Sequence, residues 1–120
     1  GEPDAPYLVV SWGSTKGAII DAIEYLQTEG LRFAFAQIKM LNPFPTRFVQ
    51  NIFPSYRRVI AVEQNYTGQL ATLIRARTGF QVDHLICKYN GRPFSFSELR
   101  DGLRDAVITG SPRIVKRSGG

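Results

Sequence analysis

The chain has 120 residues, 43% hydrophobic and 21% charged, a composition near that of an average globular domain and large enough for one core rather than two. No apolar run approaches the roughly 20 residues of a membrane span, and Gly1 to Pro6 lacks the basic start and apolar centre of a signal peptide, so a cytoplasmic chain with no membrane contact is expected. Of the formal charge of +5, Arg113, Lys116 and Arg117 supply three; the rest of the basic residues are interspersed with acids, as in LRDGLRDAV, which argues against nucleic acid as a partner.

In chain order, YLVVSW (residues 7–12) reads as a strand and GSTKGAIIDAIEYLQTEG as a helix. Its Ile19, Ile20, Ile23 and Leu26 fall at helical spacing, Ser14 or Thr15 is available as the cap, and Gly30 suits the left-handed position after the last turn. LRFAFAQIKML is the second strand, stopped by the two prolines of NPFP. TRFVQNIF predicts a short helix capped by Thr46 and ended by Pro54. RRVIAVE is a continuous apolar strand, and TGQLATLIRART is a helix with Leu70, Leu73 and Ile74 inward and Gly79 closing it. FQVDHLICKY is the next strand, and SELRDGLRDAV is a helix with Ser97 as cap and Leu99, Leu103, Ala106 and Val107 on one face. The reading is a flexible N-terminal segment over residues 1–6, a single α/β domain over 7–109 and a basic, disordered tail over 110–120. Strands alternating with helices across short connections demand crossovers, so a mainly parallel central sheet with a helical layer on each face is expected.

Cys87 is the only cysteine, which rules out an intrachain disulfide and a four-thiolate metal or cluster site built from this chain. His84 is the only histidine and lies inside an apolar strand pattern, the setting of a structural histidine. With one of each, nucleophilic catalysis of the Cys/His type has no good candidates, and no catalytic or metal-ligating set is predicted.

Three stretches remain that can meet a ligand or partner. Ser14, Thr15, Lys16 and Gly17 open a helix after a strand, so their amides can cap the helix or hold an anion with help from Lys16; neither the three-glycine dinucleotide pattern nor the Walker pair is present. In NPFP, Pro43 and Pro45 fix the backbone around Phe44, and Asn42 precedes them; Phe44 serves either the core or an exposed aromatic anchor. The third is VEQNYTGQL, where Glu63, Asn65, Gly68 and Gln69 crowd a strand-to-helix junction. Capping accounts for part of that set, and contact with a ligand or subunit for the rest.

Taken together, WGSTKGAIIDAIEYLQTEG, LNPFP, VEQNYTGQLATLIRARTG and KYNGRPFSFSELRDGL resemble the C-terminal region of the alpha subunit of 2-oxoacid:ferredoxin oxidoreductases, especially the 2-oxoglutarate type. The resemblance covers about residues 8–107. It implies a transketolase C-terminal-like domain in an enzyme that decarboxylates a 2-oxoacid on thiamine diphosphate and magnesium. Electrons then pass through iron–sulfur clusters to ferredoxin, and an acyl group goes to coenzyme A. None of those cofactors is expected to be held by this chain alone; the implied partners are the remaining domains of the alpha subunit and the beta subunit. A transketolase or 2-oxoacid dehydrogenase beta chain, and a stand-alone anion-binding module at Ser14 to Gly17, are the alternatives.

Overall fold

The structure is a computed structural model that describes residues 4–12, 16–38, 44–64, 68–88 and 92–116. Five strands form one sheet: β1 (Tyr7–Ser11), β2 (Phe33–Gln37), β3 (Arg58–Glu63), β4 (His84–Lys88) and β5 (Arg113–Lys116). All neighbours run parallel, in the order β2-β1-β3-β4-β5. The connections carry helices α1 (Lys16–Gln27), α2 (Thr46–Ile52), α3 (Gln69–Thr78) and α4 (Phe96–Thr109), with a 3-10 turn at Phe53–Ser55 after α2. This is the expected three-layer α/β architecture.

Because side chains alternate across a strand, the sheet splits its apolar residues between two cores. Val9, Ile60, Val62 and Ile86 meet Ile19, Ile23 and Leu26 of α1 and Leu99, Leu103 and Ala106 of α4. On the other face Leu8, Val10, Val59, Ala61 and Leu85 meet Val49 of α2, Phe53, and Leu70 and Ile74 of α3. Fully burying each such side chain is worth roughly 1.5–3 kcal/mol, which is why the central strands are apolar on both faces.

The helix faces also reveal a change of hand. Helices α1 and α4 share one face, yet the chain steps in opposite directions along the sheet through them; α2 and α3 lie on the other face. The β4–α4–β5 connection therefore has the opposite hand to the other three. As a result α4 covers β5 from one side only, and among the described residues the α3 side of β5 has no helix of its own.

Several sequence expectations need correction. Residues 113–116 are not a disordered tail but the edge strand β5, registered on β4 from Leu85↔Arg113 to Lys88↔Lys116. Its entry is fixed by Leu85 N donating to Pro112 O (2.9 Å) and by His84. Arg58 is an obligate donor to His84 Nε2 (3.0 Å), so Nδ1 carries the proton and donates to Ser111 O (2.6 Å). Within the segment expected to be flexible, Ala5 is buried and Pro6 O accepts from Arg57 N (2.8 Å).

Thr46 is the first residue of α2 rather than its cap, a position taken by Pro45, whose fixed φ suits a helix start. The cap of α4 is Ser95, not Ser97: Ser95 Oγ accepts from Glu98 N (3.1 Å) while the Glu98 carboxylate accepts from Ser95 N (3.0 Å), a reciprocal capping box. The fourth strand begins at His84, four residues later than the apolar run suggested, because Asp83 turns its carboxylate to Val59 N (2.7 Å).

Candidate functional site

Parallel strands send all their following connections to one edge, so the three stretches singled out in the sequence come to the same side of the sheet, after β1, β2 and β3. That edge carries a pattern the sequence did not announce. The last residues of β1, β3 and β4 are Ser11, Glu63 and Lys88, and all three are buried polar side chains. Burying such groups is costly unless each is paired, so their partners decide what the edge can do.

Glu63 is fully buried on the α3 face. Leu70 N donates to its Oε1 (2.6 Å) and Ala71 N to its Oε2 (3.1 Å). The carboxylate thus caps α3 from the preceding strand, supplying acceptors for two of the amides that a helix start leaves open, at the positive end of the dipole. Burial pushes its carboxyl pKa up; the two amides and the positive charge of Arg113 oppose this without cancelling it. The geometry requires Gly68, which precedes the helix with φ +68° and has no side-chain cap to offer. A Cβ there would lie 2.8 Å from Leu85 Cδ2 and 3.9 Å from Glu63 Oε2.

Lys88 faces the α1 and α4 side. It is 2% exposed and donates to both carboxylate oxygens of Glu98, the same carboxylate that completes the α4 capping box. Burial raises the Glu98 pKa, but the Lys88 ammonium and the Ser95 amide outweigh that and hold it below its usual value. The Lys88 ammonium also lies 6.0 Å from the centre of the Phe94 ring. Two adjacent strands, β3 and β4, are therefore each tied by a terminal charge to the start of a helix, on opposite faces of the sheet.

Of the predicted residues, Glu63 and Gly68 act as one unit, and Gln69 is the exposed first residue of α3. Lys16 and Gly17 are exposed in the first turn of α1. Pro45 caps α2, and Phe44 is 7% exposed and belongs to the α2/α3 core, so the aromatic is a packing residue in this chain and not an exposed anchor. Ser14, Thr15, Asn42, Pro43 and Asn65 lie outside the described residues. Lys88 and Glu98 were missed; the S-x-x-E spacing of Ser95 and Glu98 was the available signal, and a lysine closing an apolar strand was a second.

The chemistry that the described residues offer at this edge is structural. Glu63 and Lys88 have their hydrogen-bonding capacity committed to helix starts, and among the described residues no buried side-chain nitrogen or oxygen lacks a partner. Cys87 is buried with its thiol pKa pushed up by that burial, the reverse of an activated nucleophile. His84 sits at the opposite end of β4 with both ring nitrogens engaged.

A parallel sheet ordered 2-1-3-4-5 with helices on both faces, and with Ser11, Glu63 and Lys88 at the carboxyl ends of its strands, defines a doubly wound, Rossmann-like α/β domain. Within that class its sequence is specific: residues 5–99 match pyruvate:ferredoxin oxidoreductase core domain II, and the chain belongs to that family. It is 43% identical to the alpha subunit of 2-oxoacid:ferredoxin oxidoreductase 2 of Aeropyrum pernix, over 99% of this chain and 18% of the relative.

Two solved structures agree. The alpha chain of a probable 2-oxoacid ferredoxin oxidoreductase from Thermoplasma acidophilum is 42% identical with a TM-score of 0.61, covering 89% of this chain and 92% of that one. The 2-oxoglutarate:ferredoxin oxidoreductase of Magnetococcus marinus, with 2-oxoglutarate, coenzyme A and succinyl-CoA bound, is 30% identical with a TM-score of 0.74, covering 89% of this chain and 18% of that one. The chain thus spans less than a fifth of the curated alpha subunit and corresponds to one domain of such enzymes.

Proposed function

We propose that this chain is the structural and subunit-assembly domain of a cytoplasmic, thiamine-diphosphate-dependent 2-oxoglutarate:ferredoxin oxidoreductase. The complete enzyme decarboxylates the 2-oxoacid oxidatively, forms the acyl-CoA and reduces ferredoxin. The observation that carries this reading is the state of the strand-end charges: Glu63 and Lys88 brace helices α3 and α4 instead of facing a reactant. A braced edge holds the starts of α3 and α4 at fixed positions, which suits a surface on which other domains assemble. The 2-oxoglutarate preference rests on the Magnetococcus marinus enzyme, whose bound ligands are 2-oxoglutarate and succinyl-CoA.

This reading leaves the metal centres of such an enzyme outside this chain. Among the described residues no group of three or more His, Cys, Asp or Glu side chains could hold a metal ion, and a single buried cysteine cannot ligate a cluster. On this reading magnesium and the clusters, and with the magnesium the thiamine diphosphate, belong to the rest of the complex, and no step of the reaction is assigned to a residue here.

The contact surface we assign is the exposed start of α3, with Gln69 as its test residue. Gln69→Ala leaves the fold intact, because the side chain is exposed and the helix is capped by Glu63. It is expected to weaken co-purification of the domain with the remaining alpha-subunit domains and the beta subunit. Full association of the variant removes this surface from the proposal.

A further inference from the structure

The two border strands of the sheet are not protected alike. Strand β5, RIVK, has a cation at each end, the kind of residue that keeps a border strand from pairing with another chain. Strand β2, FAFAQ, has no charge and no proline, and among the described residues no strand pairs with its outer side. Arg32, which precedes it, is paired with Asp4 (3.6 Å). Ile38 N donates to Ser11 O of β1 (2.8 Å), and main-chain groups point alternately to either side of a strand, so Ala34 and Ala36 also bond toward β1. Those of Phe33 and Phe35 therefore point outward, away from β1.

The helices beside this border add apolar surface. On α2, Gln50 reaches Thr78 O of α3 (3.4 Å), while Phe48 and Ile52, one turn apart, lie across the helix from Gln50 and so toward β2. The buried Phe53 ring links the two sides, in edge contact with Phe80 after α3 and with Phe48. Phe48 is 43% exposed and Ile52 38%. On α1, Tyr25 packs on Phe96 of α4, and the half-buried Ile20 lies on the other side of the helix, again toward β2.

We propose that β2 is the surface through which two copies of this chain associate about a two-fold axis, with the sheet continuing from one copy into the next. Antiparallel pairing centred on Phe35 sets Phe35 opposite Phe35, where the two exchange main-chain hydrogen bonds, and Phe33 opposite Gln37. The Phe35 rings then lie side by side on the α1 face. On the α2 face Ala34 meets Ala36, small side chains that leave room for Phe48 of both copies. Charge favours a second copy as the occupant: an uncharged strand with apolar flanks gives a charged partner nothing to match and brings no like charges together across a two-fold. Five residues of strand span about 17 Å, and with a helix stripe on each side the contact covers on the order of 400 Å² per copy, half the roughly 800 Å² of a standard interface. The dimer is accordingly weak, with a dissociation constant on the order of 0.1–1 mM. It uses the border of the sheet and not the carboxyl ends of the strands, so it does not depend on the assembly role proposed above.

The test is sedimentation equilibrium of the 120-residue chain from about 10 μM to about 1 mM, with amide exchange followed by NMR over the same range. A reversible monomer–dimer equilibrium is expected, with protection of the Phe33 and Phe35 amides that rises with concentration. Phe48→Lys and, separately, Ile52→Lys set like charges across the axis and should each raise the dissociation constant at least tenfold; both positions are exposed, so the native spectrum is kept. Phe96→Lys, at an exposed aromatic beside α4, should leave it unchanged. A chain that stays monomeric to 1 mM, that grows beyond dimers, or that responds equally to Phe96→Lys overturns the proposal. So does protection of Phe33 and Phe35 that appears only with the remaining alpha-subunit domains or the beta subunit, which would give this border to another chain.

Discussion

Gly68→Ala tests whether the junction between β3 and α3 is built as described. Two costs add. A non-glycine residue in the left-handed region costs about 1–2 kcal/mol, and Gly68 sits there with φ +68°. The new Cβ would also approach Leu85 Cδ2 to 2.8 Å, closer than a real contact allows. That atom is the end of a flexible side chain, so Leu85 can turn, but it is only 8% exposed and its repacking costs about 1–2 kcal/mol, the lower part of the overpacking range. The expected loss is therefore about 2–4 kcal/mol. Gly79→Ala is the internal control: its φ is +77° and nothing lies within 4 Å of the new Cβ, so it bears the backbone cost alone. The small gain from a stiffer unfolded chain is common to both and cancels. Urea unfolding of the two variants, with unchanged m values, should place Gly68→Ala about 1–2 kcal/mol below Gly79→Ala. Equal losses would mean that the close packing of Gly68 against Leu85, and with it the seat of the Glu63 cap, is wrong.

Three further outcomes follow from the same bonds. Burial raises the Glu63 pKa above its ordinary 4.5, so the folded chain binds that proton more tightly than the unfolded one. The stability this group contributes is full below 4.5 and is lost as pH rises through the raised value. The stability difference between wild type and Glu63→Gln should accordingly fall with rising pH in that window, by at most about 1.4 kcal/mol per pH unit; a flat difference in pH-dependent urea unfolding contradicts it. Ser95→Ala should cost about 0.5–2 kcal/mol by thermal or urea unfolding and Ser97→Ala under about 0.5 kcal/mol, and the reverse order would restore Ser97 as the cap. Lys88→Met strands the Glu98 carboxylate at a nearly dry site and should cost about 3 kcal/mol, part of which Lys88→Met with Glu98→Gln recovers. No recovery in that double variant would show that the two side chains are not coupled.

The periodic apolar residues made four strands and four helices legible, because Val9, Ile60 and Ile86 or Ile19, Ile23 and Leu26 had to face cores whichever way the chain was wound. The strand β5 was not legible. Only Ile114 and Val115 in RIVK are apolar, and they go to opposite faces, so neither periodicity nor length separates the segment from a basic tail. Its connection also reverses the usual hand, which no local signal encodes. At the candidate site, the crowding of Glu63, Gly68 and Gln69 was visible, and so was the choice between capping and contact. What decided it for Glu63 was the distance to the amides of Leu70 and Ala71, seven and eight residues downstream, across a junction whose path the sequence does not specify. Lys88 and Glu98 are ten residues apart and meet only because β4 and α4 fold back together. Phe44 shows the converse: flanked by prolines it looked equally fit for a surface or a core, and the α2/α3 layer simply left room for it inside.

The central claim is that this domain assembles a 2-oxoglutarate:ferredoxin oxidoreductase without performing its chemistry. It is tested most directly by mixing the purified 120-residue chain with the remaining alpha-subunit domains and the beta subunit. Association is followed by size-exclusion chromatography and 2-oxoglutarate-dependent reduction of ferredoxin or a viologen dye. The account predicts one complex, active only when every piece is present, with the domain inactive by itself. A complex of the other pieces that is fully formed and fully active without this chain would contradict it.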